Sequence, residues 1–141
     1  MDMHIDPDKA RFQGFKDLPR DGVIHMLNLV RVRAEAQYAD GRKATGAEAY
    51  AAYGRESGPV FERLGGRIVW RGRMDFMLIG PDAERWDYCF IAEYPNADAF
   101  IAMLRDPIYR EAVKHRSAGV EDSRLIRLSP LAAGAGFASA D

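Results

Sequence analysis

The 141-residue sequence has one cysteine, four lysines and no excess of either charge. A single cysteine cannot form an intramolecular disulfide, and Cys89 lies within an apolar run at residues 88–92. This usage predicts a reducing compartment, and we expect a cytoplasmic protein. The 20 Lys and Arg residues are offset by 21 Asp and Glu residues, for a net charge of −1. Because nucleic-acid binding needs a basic excess to neutralise phosphates, no nucleic-acid partner is expected.

Targeting segments and the common cofactor motifs are also missing from the sequence. Residues 1–7 are acidic and lack the basic and apolar regions of a secretory signal, and no apolar run is long enough to span a bilayer, so no membrane partner is expected. We find no phosphate-binding glycine loop, no dinucleotide fingerprint, no Cys or His pairs at metal-ligand spacing and no Gly-x-Ser-x-Gly elbow. The sequence therefore predicts neither a cofactor nor a metal site.

The 48% hydrophobic content is sufficient for one packed core. We expect an N-terminal extension at residues 1–21, one domain at residues 22–130 and a flexible tail at residues 131–141. Within the extension, Asp6 followed by Pro7 predicts the start of a short helix, and Leu18 with Pro19 predicts its end.

Apolar patterning predicts the order of elements within the domain. The residues 23–31 are almost continuously apolar, as in a strand covered on both faces. Thr45 and Glu48 form a capping box before a helical stripe at residues 46–64, which Gly58 and Pro59 should kink or interrupt. Period-two alternation then predicts a long strand at residues 67–80 with a bulge near Gly72.

The second half of the domain repeats this order. We predict a strand at residues 86–94, a helix capped within residues 95–98, a further helical piece after Asp106 and Pro107, and a last strand at residues 120–128. The result is a ferredoxin-like β-α-β-β-α-β fold of the α+β class with a four-stranded antiparallel sheet. Helices on one face leave the other face bare, and a second copy is the simplest cover, so we expect a homodimer.

Five segments resemble, in order and spacing, the domain of unknown function 1330 family. They are GVIHMLNL at 22–29, RLGGRIVWRG at 63–72, EYPNADAF at 93–100, DPIY at 106–109 and RSAGVEDSRLI at 116–126. The resemblance covers residues 22–128 and implies membership of the dimeric α+β barrel superfamily, in which two ferredoxin-like subunits pack sheet against sheet. It implies no accepted reaction, and so no catalytic residues.

Superfamily relatives include cofactor-independent monooxygenases, haem-degrading enzymes, lactone isomerases and stress-response barrels, which hold a small ligand between sheet and helices. The resemblance implies a similar pocket here. An Asn of the first strand lines that pocket in some haem-degrading members, and Asn28 occupies the corresponding element.

The first predicted strand carries two polar candidates. His25 and Asn28 are three positions apart, so they face opposite sides of the sheet and cannot share one pocket without a bulge. His25 is either a buried neutral histidine satisfied by one hydrogen bond or a general base. Asn28 is the favoured ligand contact, because its amide needs partners within a buried strand.

Aromatic candidates come from the first helix and the second strand. Tyr50 and Tyr53 lie one helical turn apart and should face the sheet, either as core or as ligand contacts. Trp70 is a candidate for an aromatic pocket wall.

Three charged residues complete the candidate set. Burial would raise the pKa of Glu93 and make it an acid or base, whereas an ion pair with an arginine is the commoner outcome. His115 and Arg116 lie in the last turn of a helix, where positive charge complements the helix dipole or binds an anionic ligand. His25, Glu93 and His115 are therefore the catalytic candidates.

Three hypotheses for function remain open. The first is a small-molecule-binding barrel whose pocket takes an apolar ligand with a polar or acidic end, lined by Asn28, Tyr50, Tyr53, Trp70, His115 and Arg116. The second makes the same pocket a cofactor-independent monooxygenase or isomerase. The third is a structural or regulatory dimer without a pocket.

Overall fold

The computed structural model describes residues 3–134 and 136–138, so the expected tail at 131–141 lies partly outside the described residues. The elements, in chain order, are α1 Lys9–Asp17, β1 Ile24–Val32, α2 Gly46–Arg63, β2 Arg67–Gly72, β3 Tyr88–Tyr94, α3 Ala97–Arg105, α4 Pro107–Gly119 and β4 Val120–Leu128. No helix of the described ranges is both long and apolar enough to cross a bilayer.

The four strands form one antiparallel sheet in the order β2-β3-β1-β4. β1 is central, with Asn28 opposite Phe90 on one side and Leu125 on the other. This is the ferredoxin-like α+β fold, and the prediction of fold class is confirmed.

Side-chain caps begin the helices at the predicted places. Thr45 accepts from the Glu48 amide at 3.0 Å and the Glu48 side chain accepts from the Thr45 amide at 2.8 Å. Asn96 accepts from the Ala99 amide. Asp106 ends α3 and begins α4, accepting from the Ile108 amide. These bonds satisfy amides that the first turn leaves without helical partners.

Of the two alternatives predicted for α2 at Gly58 and Pro59, a kink or an interruption, the interruption is wrong. The helix runs unbroken through 18 residues, with Pro59 inside it. Proline removes one amide, which would otherwise bond to the Arg55 carbonyl. Arg55 and Pro59 are both exposed, so water can bond to that carbonyl.

The predicted long strand at residues 67–80 is also wrong beyond Gly72. Gly72 lies opposite Cys89, and β3 begins one residue earlier, at Tyr88. Residues 73–80 continue the period-two pattern of the sequence, but no strand of the described residues lies beside them to form a hydrogen-bond ladder. The register shift falls between Ile68 and Trp70 rather than at Gly72, so Ile68 pairs with Ala92 but Trp70 pairs with Ile91.

The core lies between the sheet and the helices. Met26 and Tyr94 of the sheet pack with Val60 of α2 and Phe100 of α3, and all four are at most 7% exposed. Tyr94 meets the Phe100 ring edge-on, with centroids 5.2 Å apart. The helices thus cover one face of the sheet, here called the helix face.

The apolar centre of the other face, here called the open face, has no cover among the described residues, whereas residues 83–86 pack over Arg31 and Arg124 at one end of it. Strand register assigns its apolar side chains to all four strands: Leu27, Leu29, Trp70, Cys89, Ile91, Ile126 and Leu128. Trp70 is 51% exposed and Ile126 is 44% exposed. The expected bare face is therefore present.

The N-terminal segment packs on the domain. α1 begins after Asp8, not at Asp6 and Pro7 as predicted, because Asp8 accepts from the Arg11 amide. Its end at Leu18 agrees with the prediction. Phe15 contacts Phe100 of α3, with ring centroids 5.1 Å apart, so the segment reaches the helix face.

Candidate ligand-binding cavity

A cavity of about 770 Å³ lies among the helix face, α3, α4 and the N-terminal segment. Its aromatic and aliphatic walls come from the sheet and helices, and its remaining wall comes from the N-terminal segment. The lining residues are His4, Ile5, Asp6, Pro7, Asp8, Arg11, Phe12, Phe15, Met26, Asn28, Tyr53, Tyr94, Phe100, Met103, Leu104, Tyr109, Arg110, Val113, Arg116 and Ser123 to Arg127. The volume lies in the range of small-molecule sites, roughly 300–1,000 Å³.

Asn28 lines the cavity from the central strand. Its side-chain amide donates to the Met26 carbonyl at 3.0 Å. No hydrogen bond to its amide oxygen is found within residues 3–134 and 136–138, which leaves an acceptor for a ligand donor. Asn28 therefore meets the geometric condition for a ligand contact, and His25 faces the opposite side, as predicted.

Two tyrosines join α2 and α4 at the cavity wall. The Tyr53 and Tyr109 hydroxyls are 2.8 Å apart, and their rings meet edge-on at 5.9 Å. Burial raises the pKa of Tyr109 strongly. Tyr109 thus remains neutral at physiological pH and can offer its hydroxyl to a ligand without adding charge.

Arg116 holds the N-terminal segment in place. Its Nη1 donates to the Ile5 carbonyl and lies 3.4 Å from an Asp6 carboxylate oxygen, and its Nη2 donates to Ser123. Ser123 in turn donates to the His4 carbonyl at 2.7 Å. The predicted ligand contact Arg116 therefore lines the cavity, but both of its terminal nitrogens already donate within the chain.

Arg127 of β4 lines the cavity next to α1. Its Nη2 donates to the Pro19 carbonyl at 2.6 Å, and its guanidinium carbon lies 5.1 Å from the Phe15 ring centroid. Its Nη1 is buried and has no hydrogen-bond partner among the described residues. Arg127 was not among the residues predicted from the sequence.

Tyr50 and Trp70 do not line this cavity. Tyr50 stacks on Tyr88 of β3, with ring centroids 4.9 Å apart, and burial strongly raises its pKa. Trp70 lies on the open face, because the register shift at β2 turns it away from the helices. Neither aromatic ring therefore shares the cavity with Asn28.

Glu93 and His25 form a hydrogen-bonded pair on the open face. Glu93 Oε2 lies 2.8 Å from His25 Nε2, and Arg67 donates to Glu93 Oε1 at 2.8 Å. Hydrogen bonds from His25 and then Arg67 lower the pKa of Glu93. Of the two alternatives for Glu93, the structure shows the ion pair with an arginine, which was expected to be the commoner, and not a pKa raised by burial.

His115 lies in a separate cluster between α4, α2 and the loop at residues 33–45. Its Nδ1 is 2.6 Å from the Tyr38 hydroxyl, and its Nε2 is 2.7 Å from a Glu56 carboxylate oxygen. The carboxylate favours a proton on Nε2, so Nδ1 accepts from Tyr38. All three catalytic candidates, His25, Glu93 and His115, therefore lie outside the cavity.

Comparison with known proteins agrees with the sequence resemblance. The family model described as "Domain of unknown function (DUF1330)" matches residues 38–127. The chain belongs to this family. No match was found among curated proteins.

Two crystal structures of RPA0582 from Rhodopseudomonas palustris, a protein of unknown function, are similar to this DUF1330 chain. The methylated form is 65% identical with a TM-score of 0.92, over 96% of this chain and 100% of that one. The other is also 65% identical with a TM-score of 0.90, over 93% and 99%. A cofactor-independent oxygenase, SnoaB from Streptomyces nogalater, shares the fold at 18% identity and a TM-score of 0.50, over 84% and 99%.

Proposed function

We propose that this DUF1330 protein binds a small apolar ligand with a polar or acidic end. The observation that carries the proposal is the cavity of about 770 Å³ between the helix face and the N-terminal segment. Phe100, Met103 and Leu104 supply apolar surface there, while Asn28 and Tyr53 supply polar atoms. A largely apolar cavity with a few directed polar groups is the usual form of a small-molecule site.

Binding fits this cavity better than the alternative of a cofactor-independent monooxygenase or isomerase. That alternative needs a group that moves a proton at the ligand. His25 and Glu93 pair with each other on the open face, and His115 pairs with Tyr38 and Glu56. None of the three catalytic candidates is available to a molecule in the cavity.

A thermal-shift screen of aromatic acids, quinones and haem tests the proposal, with hits measured by calorimetry. Val113→Trp should fill the cavity from α4 and weaken binding of a compound found in the screen by tenfold or more. Asn28→Ala should weaken binding of the same compound by removing a polar contact. Ile108→Trp is the matched control, because Ile108 is on the same helix but 60% exposed. Binding that survives Val113→Trp in a folded protein, or a screen without hits, would count against the proposal.

We further propose that the protein acts as a homodimer formed through the open face. Leu27, Leu29 and Ile91 lie at the centre of this face, and more exposed apolar side chains surround them. Contiguous apolar surface of this kind is typical of an interaction site. A second copy offers the same surface, as a twofold interface requires.

A further inference from the structure

The cavity wall has more positive than negative charge. Its arginines come from α1, α4 and β4, and its carboxylates come only from the N-terminal segment. The arginines are Arg11, Arg110, Arg116, Arg124 and Arg127, and the carboxylates are Asp6 and Asp8. The carboxylates have partners of their own, since Asp8 pairs with Arg11 and Asp6 with Arg116.

Arg127 is the arginine of this wall that lacks a counterion and has an unused buried donor. No carboxylate of the described residues forms an ion pair with it, and its buried Nη1 has no partner there. Its remaining interactions are with the neutral Pro19 carbonyl and the Phe15 ring. A guanidinium at a cavity wall without a carboxylate partner favours an anionic ligand, because its charge is otherwise uncompensated there.

The other arginines of the wall are less suited to this role. The terminal nitrogens of Arg116 already donate to Ile5, Asp6 and Ser123. Arg124 pairs with Asp122 and Glu84, and its guanidinium lies over Trp86. Arg11 and Arg110 are exposed, so water screens their charge.

We infer that Arg127 recognises the acidic end of the ligand, which makes the ligand class an apolar monocarboxylate. This inference rests on the proposed binding function. Guanidinium groups match carboxylates in geometry and bind them with charge-assisted hydrogen bonds. Phe15 and Phe100 are in contact next to Arg127, so the apolar body of the ligand packs against aromatic surface close to its carboxylate.

The N-terminal segment is part of this site. Phe15 covers the guanidinium, and the Pro19 carbonyl orients it through Nη2. Residues 4–15 also form one wall of the cavity. The domain without this segment would therefore lack both the wall and the groups that hold Arg127 in position.

Two matched probe pairs test the inference by calorimetry: 4-phenylbutanoate with 4-phenylbutanamide, and decanoate with decanamide. In the wild-type protein, each acid should bind at least tenfold more tightly than its amide. Arg127→Met should weaken binding of the acids at least tenfold and change the affinity for the amides by less than twofold. Arg127→Lys should retain part of the preference for the acids. Arg55 is an exposed arginine of α2, so Arg55→Met is the control and should change neither the affinity for the acids nor that for the amides.

The outcomes separate this inference from the function on which it rests. Equal binding of acid and amide by the wild-type protein, or an unchanged acid affinity in Arg127→Met, would overturn the role of Arg127 and leave the binding function intact. Failure of all four probes to bind would overturn both. Amide binding also shows that the cavity of the Arg127→Met protein is still formed, so misfolding cannot imitate the expected result.

Discussion

The backbone amide of His4 donates to the Asp122 carboxylate at 2.8 Å, across 118 positions of sequence. Asp122 is 1% exposed, and it also accepts from Arg124 at 2.8 Å and lies 3.7 Å from Arg31. One buried carboxylate thus anchors the N-terminal segment and balances two arginines of the sheet.

Replacing Asp122 with alanine should therefore cost much more than removing an exposed carboxylate. Arg31 and Arg124 would lose a buried partner, and the free energy of unfolding should fall by about 3 kcal/mol. Chemical denaturation measures this loss, and hydrogen exchange should increase at residues 4–6. Asp98→Ala is the control, since Asp98 pairs with Arg20 at the surface and should cost no more than about 1 kcal/mol. Equal losses in the two variants would contradict the anchoring role.

The same carboxylate predicts a pH dependence of stability. Burial favours a higher pKa for Asp122, but hydrogen bonds from the His4 amide and Arg124 outweigh it, so its folded pKa lies below the ordinary 3.8. A lowered folded pKa contributes stability above pH 3.8 that is lost as the pH falls through the folded pKa. Asp122→Asn should be less stable than the wild type at pH 7, and the gap should close with acidification. A gap that stays constant from pH 7 to pH 3 would show that the charge is unimportant.

Two glycines of α2 should respond to alanine in opposite directions. A Cβ at Gly46 would lie 2.0 Å from the Arg33 carbonyl oxygen, a backbone atom that cannot move aside. Gly46→Ala should therefore destabilise the protein by several kcal/mol or prevent folding. Gly54 lies in the same helix with nothing within 4 Å of its Cβ position, so Gly54→Ala should stabilise by about 0.8 kcal/mol. Thermal and chemical unfolding measure both changes, and a neutral Gly46→Ala would refute the close approach.

A charge on the open face should disrupt the proposed homodimer. Light scattering of the wild type should give the mass of two 15.8 kDa chains at micromolar concentration. Ile126→Lys should weaken association at least tenfold, because each lysine would be buried against an apolar partner surface. Ile108→Lys changes an equally apolar but 60% exposed residue of α4 and should leave the mass unchanged. A monomeric wild type would overturn the dimer.

Local sequence signals account for most of the fold that could be predicted. The Thr45–Glu48 capping box and the Asp106–Pro107 pair mark helix starts because both act within four residues of chain. The end of β2 could not be predicted in this way. Alternation continues to Leu78, but the strand ends at Gly72 because β3, its neighbour, begins at Tyr88.

The candidate site was less predictable than the fold for a similar reason. Asn28 and Tyr53 could be assigned to the helix face from strand and helix periodicity, and the cavity includes both. Trp70 was misassigned because a one-residue bulge changes the face without leaving a clear sequence signal. Arg127 could not be predicted because the residues that contact it, Pro19 and Phe15, are more than 100 positions away in sequence. A local sequence pattern does not indicate a contact over such a separation.

The contact between His4 and Asp122 also constrains the order of folding. His4 and Asp122 are 118 positions apart, so the fourth strand must be in place before their bond can form and the N-terminal wall of the cavity can be completed. Contacts between such distant positions carry a large loop-closure entropy and form late. The N-terminal wall of the cavity is then among the last parts of the fold to form, after the sheet to which His4 is bonded.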